Sequence, residues 1–150
     1  RLAGQAPSRR LRLSSNVRPQ MLSFLRPRTF EDPELGRFKR VRTTWFPERP
    51  LAGLGVTMEG GNERPSPEVV EAARQLLRAP DPLVQAATKF VQADAKAQEF
   101  MAGNGQLVCD GFTVYQSGSF AVEFSLSGWP DAMITVPFVE RPSARVLLGD

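Results

Sequence analysis

The sequence predicts an α+β fold in which two helices pack on one face of a mainly antiparallel sheet of five to six strands. Apolar and polar residues alternate in the first and last thirds of the body of the chain, as in half-buried strands. Helical spacing and two cap-and-proline signals occupy the middle. Because strands and helices do not alternate one by one, the predicted order is β-β-α-α-β-β-β, with a further edge-like strand at the end.

The first strand is predicted over 37–46, where apolar side chains alternate with charged and hydroxyl side chains. A proline- and glycine-containing turn over 31–36 precedes it. Alternation over 54–58 predicts a second strand that forms a hairpin with the first. Trp45 lies on the apolar face of this pattern and is predicted to be in the core.

Two helices are predicted next. Ser66 is a favourable N-cap and Pro67 fits the first helical position, so a helix should begin there and stop at Pro80. Asp81, which also precedes a proline, predicts the start of a longer second helix that continues to Met101.

Strand-like alternation returns in the last third of the chain. Asp110, followed by glycine, predicts a bulge or turn inside the first of these strands. A turn over 128–131 is expected between two of them because glycine, proline and aspartate are concentrated there. The predicted strands cover 107–115, 120–126, 134–138 and 144–148.

Charge divides the chain into a basic tail, residues 1–28, and a single α+β domain, residues 29–150. Residues 1–29 hold seven arginines and no acid, whereas the rest holds 12 basic and 16 acidic groups, a net charge of −4. The tail has no amphipathic period, which favours a disordered tail or a non-native extension that precedes a start at Met21. Two functional interpretations stay open, a basic arm for nucleic acid or acidic lipid and a transit peptide.

Several classes of protein are excluded or disfavoured by composition. No apolar run approaches the about 20 residues of a membrane span. The single cysteine, Cys109, excludes an internal disulfide framework and favours a reducing compartment, so a cytoplasmic location is expected. Without histidine, and without a phosphate-binding glycine motif, the sequence predicts neither a metal site nor a cofactor.

An enzyme is disfavoured for related reasons. General acid–base chemistry near neutral pH most often uses histidine, and a cysteine nucleophile needs a neighbouring base. Asp110, Glu123 and Asp131 could act as paired carboxylates, but each is explained by a turn or a solvent-facing strand position. The prediction is therefore a domain that acts by binding, not by catalysis.

The residues predicted to contact a partner are Trp129, Asp131 and Glu123. A tryptophan at a turn tip would be an exposed interface anchor, although it could instead fold back over the sheet. The competing candidate surface is a basic strip over 37–42, which would suit nucleic acid.

The layout resembles a group of small bacterial domains of unknown function, several of which lie beside polymorphic toxins as suspected immunity proteins. The resemblance spans about residues 21–150. It rests on 30–38, with Phe-Glu-Asp-Pro-Glu-Leu-Gly-Arg-Phe, on the helical middle, and on the closing strands 120–124 and 145–150. The chain lacks a Gly-His pair that such domains often carry near the last hairpin.

The resemblance implies stoichiometric binding to a toxin domain, and the acidic body suits a basic partner. The alternative function is a nucleic-acid- or ribosome-associated protein that uses the basic tail.

Overall fold

The computed structural model describes residues 26–139 and 147–149, which form one mixed sheet and three helices. The eight strands lie side by side in chain order. They are β1 (Thr29–Asp32), β2 (Gly36–Val41), β3 (Thr44–Pro47), β4 (Gly55–Glu59), β5 (Leu107–Val114), β6 (Phe120–Leu126), β7 (Trp129–Phe138) and β8 (Leu147–Gly149). The helices are α1 (Pro67–Arg78), α2 (Asp81–Ala93) and α3 (Ala95–Met101).

Two antiparallel meanders make up this sheet, β1–β4 and β5–β8. They meet where β4 pairs with β5 in parallel, and the three helices form the crossover between these two strands. The predicted α+β class and the mainly antiparallel sheet are confirmed. The predicted five to six strands and two helices are too few.

The additional strands come from the start of the chain. The segment predicted as one strand over 37–46 is a hairpin of β2 and β3, because Arg42 adopts a positive φ of 56° and allows a tight reversal. The predicted turn over 31–36 is shorter than expected, since its first two residues belong to β1. The predicted pairing of the 54–58 strand with its predecessor is confirmed as β3–β4.

The helical region follows its cap signals closely. Ser66 caps α1 by accepting a hydrogen bond from the Val69 N–H, as predicted. Asp81 is the first residue of α2 instead of its cap. The predicted long second helix is divided at Asp94, whose carboxylate accepts the Ala97 N–H and caps α3.

All three helices contribute to a core on one face of the sheet. α1 packs on β4 and β5, while α2 packs on β6 and β7. The largest fully buried side chains on that face include Phe38, Trp45 and Phe112, and Trp45 is in the core as predicted. Within the described residues, the opposite face has no helix over it, and we call it the open face.

The structure describes only part of the two terminal segments for which predictions were made. Residues 1–25 of the predicted tail and residues 140–146, which include most of the predicted last strand, lie outside the described residues. Arg28, assigned to the tail, donates a hydrogen bond to the Asn62 carbonyl and pairs with Glu63 at 2.8 Å.

Candidate functional site

Trp129 is half-buried and does not form an exposed turn tip. The turn is made by Ser127 and Gly128, and Trp129 begins β7, so the predicted turn over 128–131 ends earlier than expected. Its ring packs on Phe100 of α3, with centroids 5.2 Å apart. Of the two alternatives left open by the sequence, the ring therefore takes the one that folds back onto the protein.

Glu123 and Asp131 lie apart from this tryptophan. Glu123 pairs in register with Gly111 and Thr135 and alternates with Val122 and Phe124, which face the helices, so it belongs to the open face. Asp131 is exposed next to the buried Ala132, in the irregular part of β7. The structure thus places Glu123 on the open face and Trp129 against α3, and it brings Asp131 together with neither of them.

Two further carboxylates share the open face with Glu123. Asp110 occupies the predicted bulge of β5, and its Oδ1 accepts a hydrogen bond from the Ser125 hydroxyl at 3.1 Å. Glu59 pairs with Thr44 at the end of β4. We call the side chains of Glu59, Asp110 and Glu123 the acidic patch.

Hydroxyl groups hold the acidic patch in place. Glu123 Oε2 accepts a hydrogen bond of 2.6 Å from Thr135, whose side chain is buried. Thr57 and Thr113 share a hydroxyl–hydroxyl bond of 2.9 Å between β4 and β5. Hydroxyl donors orient a carboxylate without neutralising it, so the negative charge stays available to a partner.

Basic residues are missing from this part of the sequence. Residues 97–139 contain four acids and no lysine or arginine. Every ion pair found among the described residues lies in the first meander, α1 or the loop between them, and none involves the acidic patch. Among the residues that the structure describes, the carboxylates of the patch therefore have no cationic partner.

Neighbouring titratable groups respond to that negative potential. Burial raises the pKa of the Tyr115 phenol, and the charges of Glu123 and Glu59 raise it further. Burial also raises the pKa of Cys109, with Asp110 and Glu123 adding to the effect. A thiol held protonated in this way is a poor nucleophile.

Exposed apolar side chains surround the acidic patch on the same face. Phe46 is 43% exposed, Val108 43% and Met133 52%. Gly55 and Gly111, which pair between β4 and β5, carry no side chain, and the backbone of Gly55 occupies the space where a Cβ of Gly111 would lie. Exposed apolar side chains grouped beside polar ones are found on surfaces that bind protein.

The basic strip predicted over 37–42 is not continuous. Arg37 and Lys39 are on the open face, whereas Arg40 pairs in register with Trp45 and its Nη2 donates to Asn62 on the helix side. Arg37 is also paired with Glu48 at 3.7 Å. Strand alternation alone predicts that neighbouring cations lie on opposite faces. The hairpin of β2 and β3, which pairs Arg40 with Trp45, could not be predicted from the sequence.

Sequence reasoning missed Glu59 and Tyr115 as parts of this surface. They come from β4 and from the residue after β5, and only the parallel pairing of these strands brings them together. The long stretch without basic residues, 97–139, was the available signal.

The arrangement suits recognition of a positively charged surface. Among residues 26–139 and 147–149, no group of three side chains is placed to hold a metal ion, and no helix is long and apolar enough to cross a membrane. Carboxylates with fixed orientation form charge-assisted hydrogen bonds with lysine and arginine.

Comparisons with known proteins add no relatives: no protein-family model matches the chain, and no curated protein or solved structure shows significant similarity to it.

Proposed function

We propose that this chain is a non-catalytic protein-binding domain that uses its acidic patch to bind a basic surface of a partner protein. The observation that carries the proposal is the absence of any lysine or arginine between residues 97 and 139, which form most of the open face. An uncompensated acidic surface attracts and orients a basic partner.

The partner that fits this surface best is a bacterial toxin domain, which the chain would neutralise in the cytoplasm by stoichiometric binding, as an immunity protein does. Toxins that act on nucleic acid carry basic active-site surfaces, because their substrate is a polyanion. An acidic patch that covers such a surface would exclude the substrate. The apolar rim of Phe46, Val108 and Met133 supports a protein partner over a small cation.

The test is capture of the partner by the full chain in native cells, in parallel with the variants E123K and E99K. Glu99 is an exposed acid on α3, away from the open face, so its reversal changes net charge equally. We expect a stoichiometric basic protein with wild type and E99K, and its loss with E123K. Equal recovery with E123K would contradict the proposal.

A second candidate function is binding of nucleic acid or the ribosome through the Arg-rich N-terminal segment. The seven arginines among residues 1–29, with no acid, support it. In the same capture experiment, this function predicts bound RNA that is lost when the chain begins at Met21 and kept in E123K. Those outcomes separate the two functions.

A further inference from the structure

The open face changes in character across the sheet. On β2 and β3 it presents the apolar side chains of Val41 and Phe46, which are 53% and 43% exposed. On β4 to β6 it presents the acidic patch, whose carboxylates pair with no described cation. Within the described residues, no helix packs over either part. Counted from β1, the face therefore has an apolar part first and an acidic part second.

The segment that precedes β1 carries complementary groups in the same order. Residues 1–25 come before the described part of the chain, and they contain no acid. Residues 21–25, which read Met-Leu-Ser-Phe-Leu, hold four apolar side chains. Further from β1, the segment holds Arg18, Arg12, Arg10 and Arg9. Counted back from β1, apolar side chains come first and positive charges second.

The chain enters the sheet beside the apolar part of the open face. The carbonyl of Arg28 accepts a hydrogen bond from the Arg40 N–H, so the residue before Arg28 comes to lie beside Val41. Val41 pairs with Thr44, and Thr44 pairs with Glu59. A row of cross-strand neighbours thus runs from the point of entry to the nearest acid of the patch.

The length of the segment permits both matches. Neighbouring strands lie about 4.8 Å apart, so β3 is about 10 Å from β1 and β6 is about 24 Å from it. An extended chain covers about 3.3 Å per residue. Residues 21–25 can therefore span about 16 Å, enough to lie over Val41 and Phe46. Arg18 can reach about 26 Å from Arg26, enough to contact Glu123 on β6.

We propose that residues 1–25 bind the open face of their own chain, with residues 21–25 over Val41 and Phe46 and the arginines at the acidic patch. Guanidinium groups form charge-assisted, two-pronged hydrogen bonds with carboxylates. Because the segment is joined to β1, its effective concentration at the open face is on the order of millimolar, so individually weak contacts are sufficient.

The cations of the open face favour the same placement. Lys39 and Arg37 are exposed on β2, and Arg37 pairs with Glu48 at 3.7 Å. Like charges repel, so the arginines of the segment are disfavoured above β2 and favoured at the carboxylates of β4 to β6. The apolar residues 21–25 carry no charge and are not repelled there.

This inference concerns the chain without its partner and does not rest on the proposed function. If both hold, residues 1–25 and the basic partner compete for the same carboxylates. Absence of the intramolecular contact would leave partner capture, and its loss in E123K, unaffected.

Disulfide trapping in the full chain measures the contact directly. In a C109A background, the substitution S15C places a thiol between Arg12 and Arg18. It is combined either with V108C on the open face or with K96C on α3, on the helix side of the sheet. Each trapping rate is normalised to the reactivity of the same thiols with a small disulfide reagent.

We expect the intramolecular disulfide to form at least about tenfold faster with V108C than with K96C, because binding raises the effective concentration of the thiol only at the open face. The rate with V108C should fall when the salt concentration rises from about 0.05 M to about 0.5 M. Equal normalised rates at the two positions would overturn the proposal.

Variants of the V108C protein then test the two parts of the contact. E123K and R12E/R18E should each slow trapping by about fivefold or more, because like charges replace attractive pairs. The controls E99K and R26E/R49E change exposed residues and alter the net charge equally, and they should leave the rate unchanged. L22S/F24S should also slow trapping, because residues 21–25 then lose apolar contact with the face.

Circular dichroism confirms that every variant is folded. A rate unaffected by both E123K and R12E/R18E would overturn the pairing of the arginines with the acidic patch. A rate unaffected by L22S/F24S would overturn the placement of residues 21–25.

Discussion

At the end of β1 in the first meander, two carboxylates connect the sheet to α1, whereas Glu123 and Asp110 in the second meander make no ion pair with another described residue. Asp32, at the end of β1, is 3% exposed and accepts hydrogen bonds from the backbone N–H groups of Glu34 and Leu35 and from the Arg74 guanidinium. Glu34 makes a two-pronged contact with Arg78. Glu123 and Asp110 accept only from hydroxyls among the described residues.

The difference shows that carboxylates in strands can have two roles, one in stabilising the fold and one in presenting charge at the surface. An acid that pairs with arginines of an adjacent helix stabilises the fold, and its negative charge is neutralised by them. An acid held by a threonine or a serine keeps its charge. Substitutions where β4 pairs with β5, and in each of the two meanders, distinguish these roles.

The largest effect is expected at the junction of the two halves. Gly111 has a φ of 141°, and a Cβ at this position would collide with the backbone carbonyl of Gly55 on the parallel neighbour. G111A should therefore cost about 3 kcal/mol or more in the free energy of unfolding, measured by urea denaturation. G118A is the control, since it also has a positive φ but an added Cβ meets open space, and it should cost only about 1 kcal/mol.

The next largest effect compares one acid from each half. D32A removes the acceptor of two backbone N–H groups and the partner of Arg74, and should lower the free energy of unfolding by about 3 kcal/mol. E123A removes one hydroxyl bond and should cost at most about 1 kcal/mol. Equal losses in urea denaturation would remove the distinction between the halves.

Two aromatic residues allow the same comparison between a side chain that supports the fold and one that does not: Trp129 contacts a helix, and Phe46 lies on the open face. Trp129 packs on Phe100, so W129A should cost about 2 kcal/mol and shift the intrinsic fluorescence. Phe46 is exposed on the open face, so F46A should change the unfolding free energy by less than about 0.5 kcal/mol. A large loss for F46A would mean that the ring supports the fold.

A smaller effect is expected in the pH dependence of stability. Burial by itself would raise the pKa of Asp32, but hydrogen bonds from Arg74, Leu35 and Glu34 outweigh it and hold the pKa below its ordinary value. A lowered pKa stabilises the fold above the ordinary value of the unfolded chain, and the gain is lost as the pH falls through the folded value. Stability should therefore decline between about pH 5 and about pH 2.

D32N tests the origin of that decline. Asparagine cannot ionise, so the variant should be less stable at neutral pH and lose less on acidification, as measured by thermal unfolding at each pH. A decline as steep as that of wild type would assign the pH dependence to other carboxylates.

The parts of the fold predicted from sequence are those specified by local signals. The start of α1 was predicted correctly from Ser66 and Pro67, and β6 was predicted correctly from the alternation over 120–126. The division of the predicted long helix at Asp94 was missed, because the apolar periodicity continues through that residue. The parallel pairing of β4 with β5 depends on residues about 55 positions apart, for which no local pattern exists.

The candidate site was predictable in part for the same reason. The solvent-facing position of Glu123 follows from strand alternation alone. The position of Trp129 depends on Phe100 of α3, which packs on it across the α3–β5 loop. Sequence could pose both alternatives for that tryptophan, but only the tertiary contact decides between them.

The affinity of the captured partner for E123K, compared with that for E99K, tests the role of the acidic patch most directly. Isothermal titration with purified proteins should give a dissociation constant raised at least about tenfold for E123K, because a like charge replaces an attractive one at the contact. E99K should bind within about twofold of wild type, since long-range charge is screened beyond about 10 Å at 0.1 M salt. Equal affinities for the two variants would contradict binding through the acidic patch.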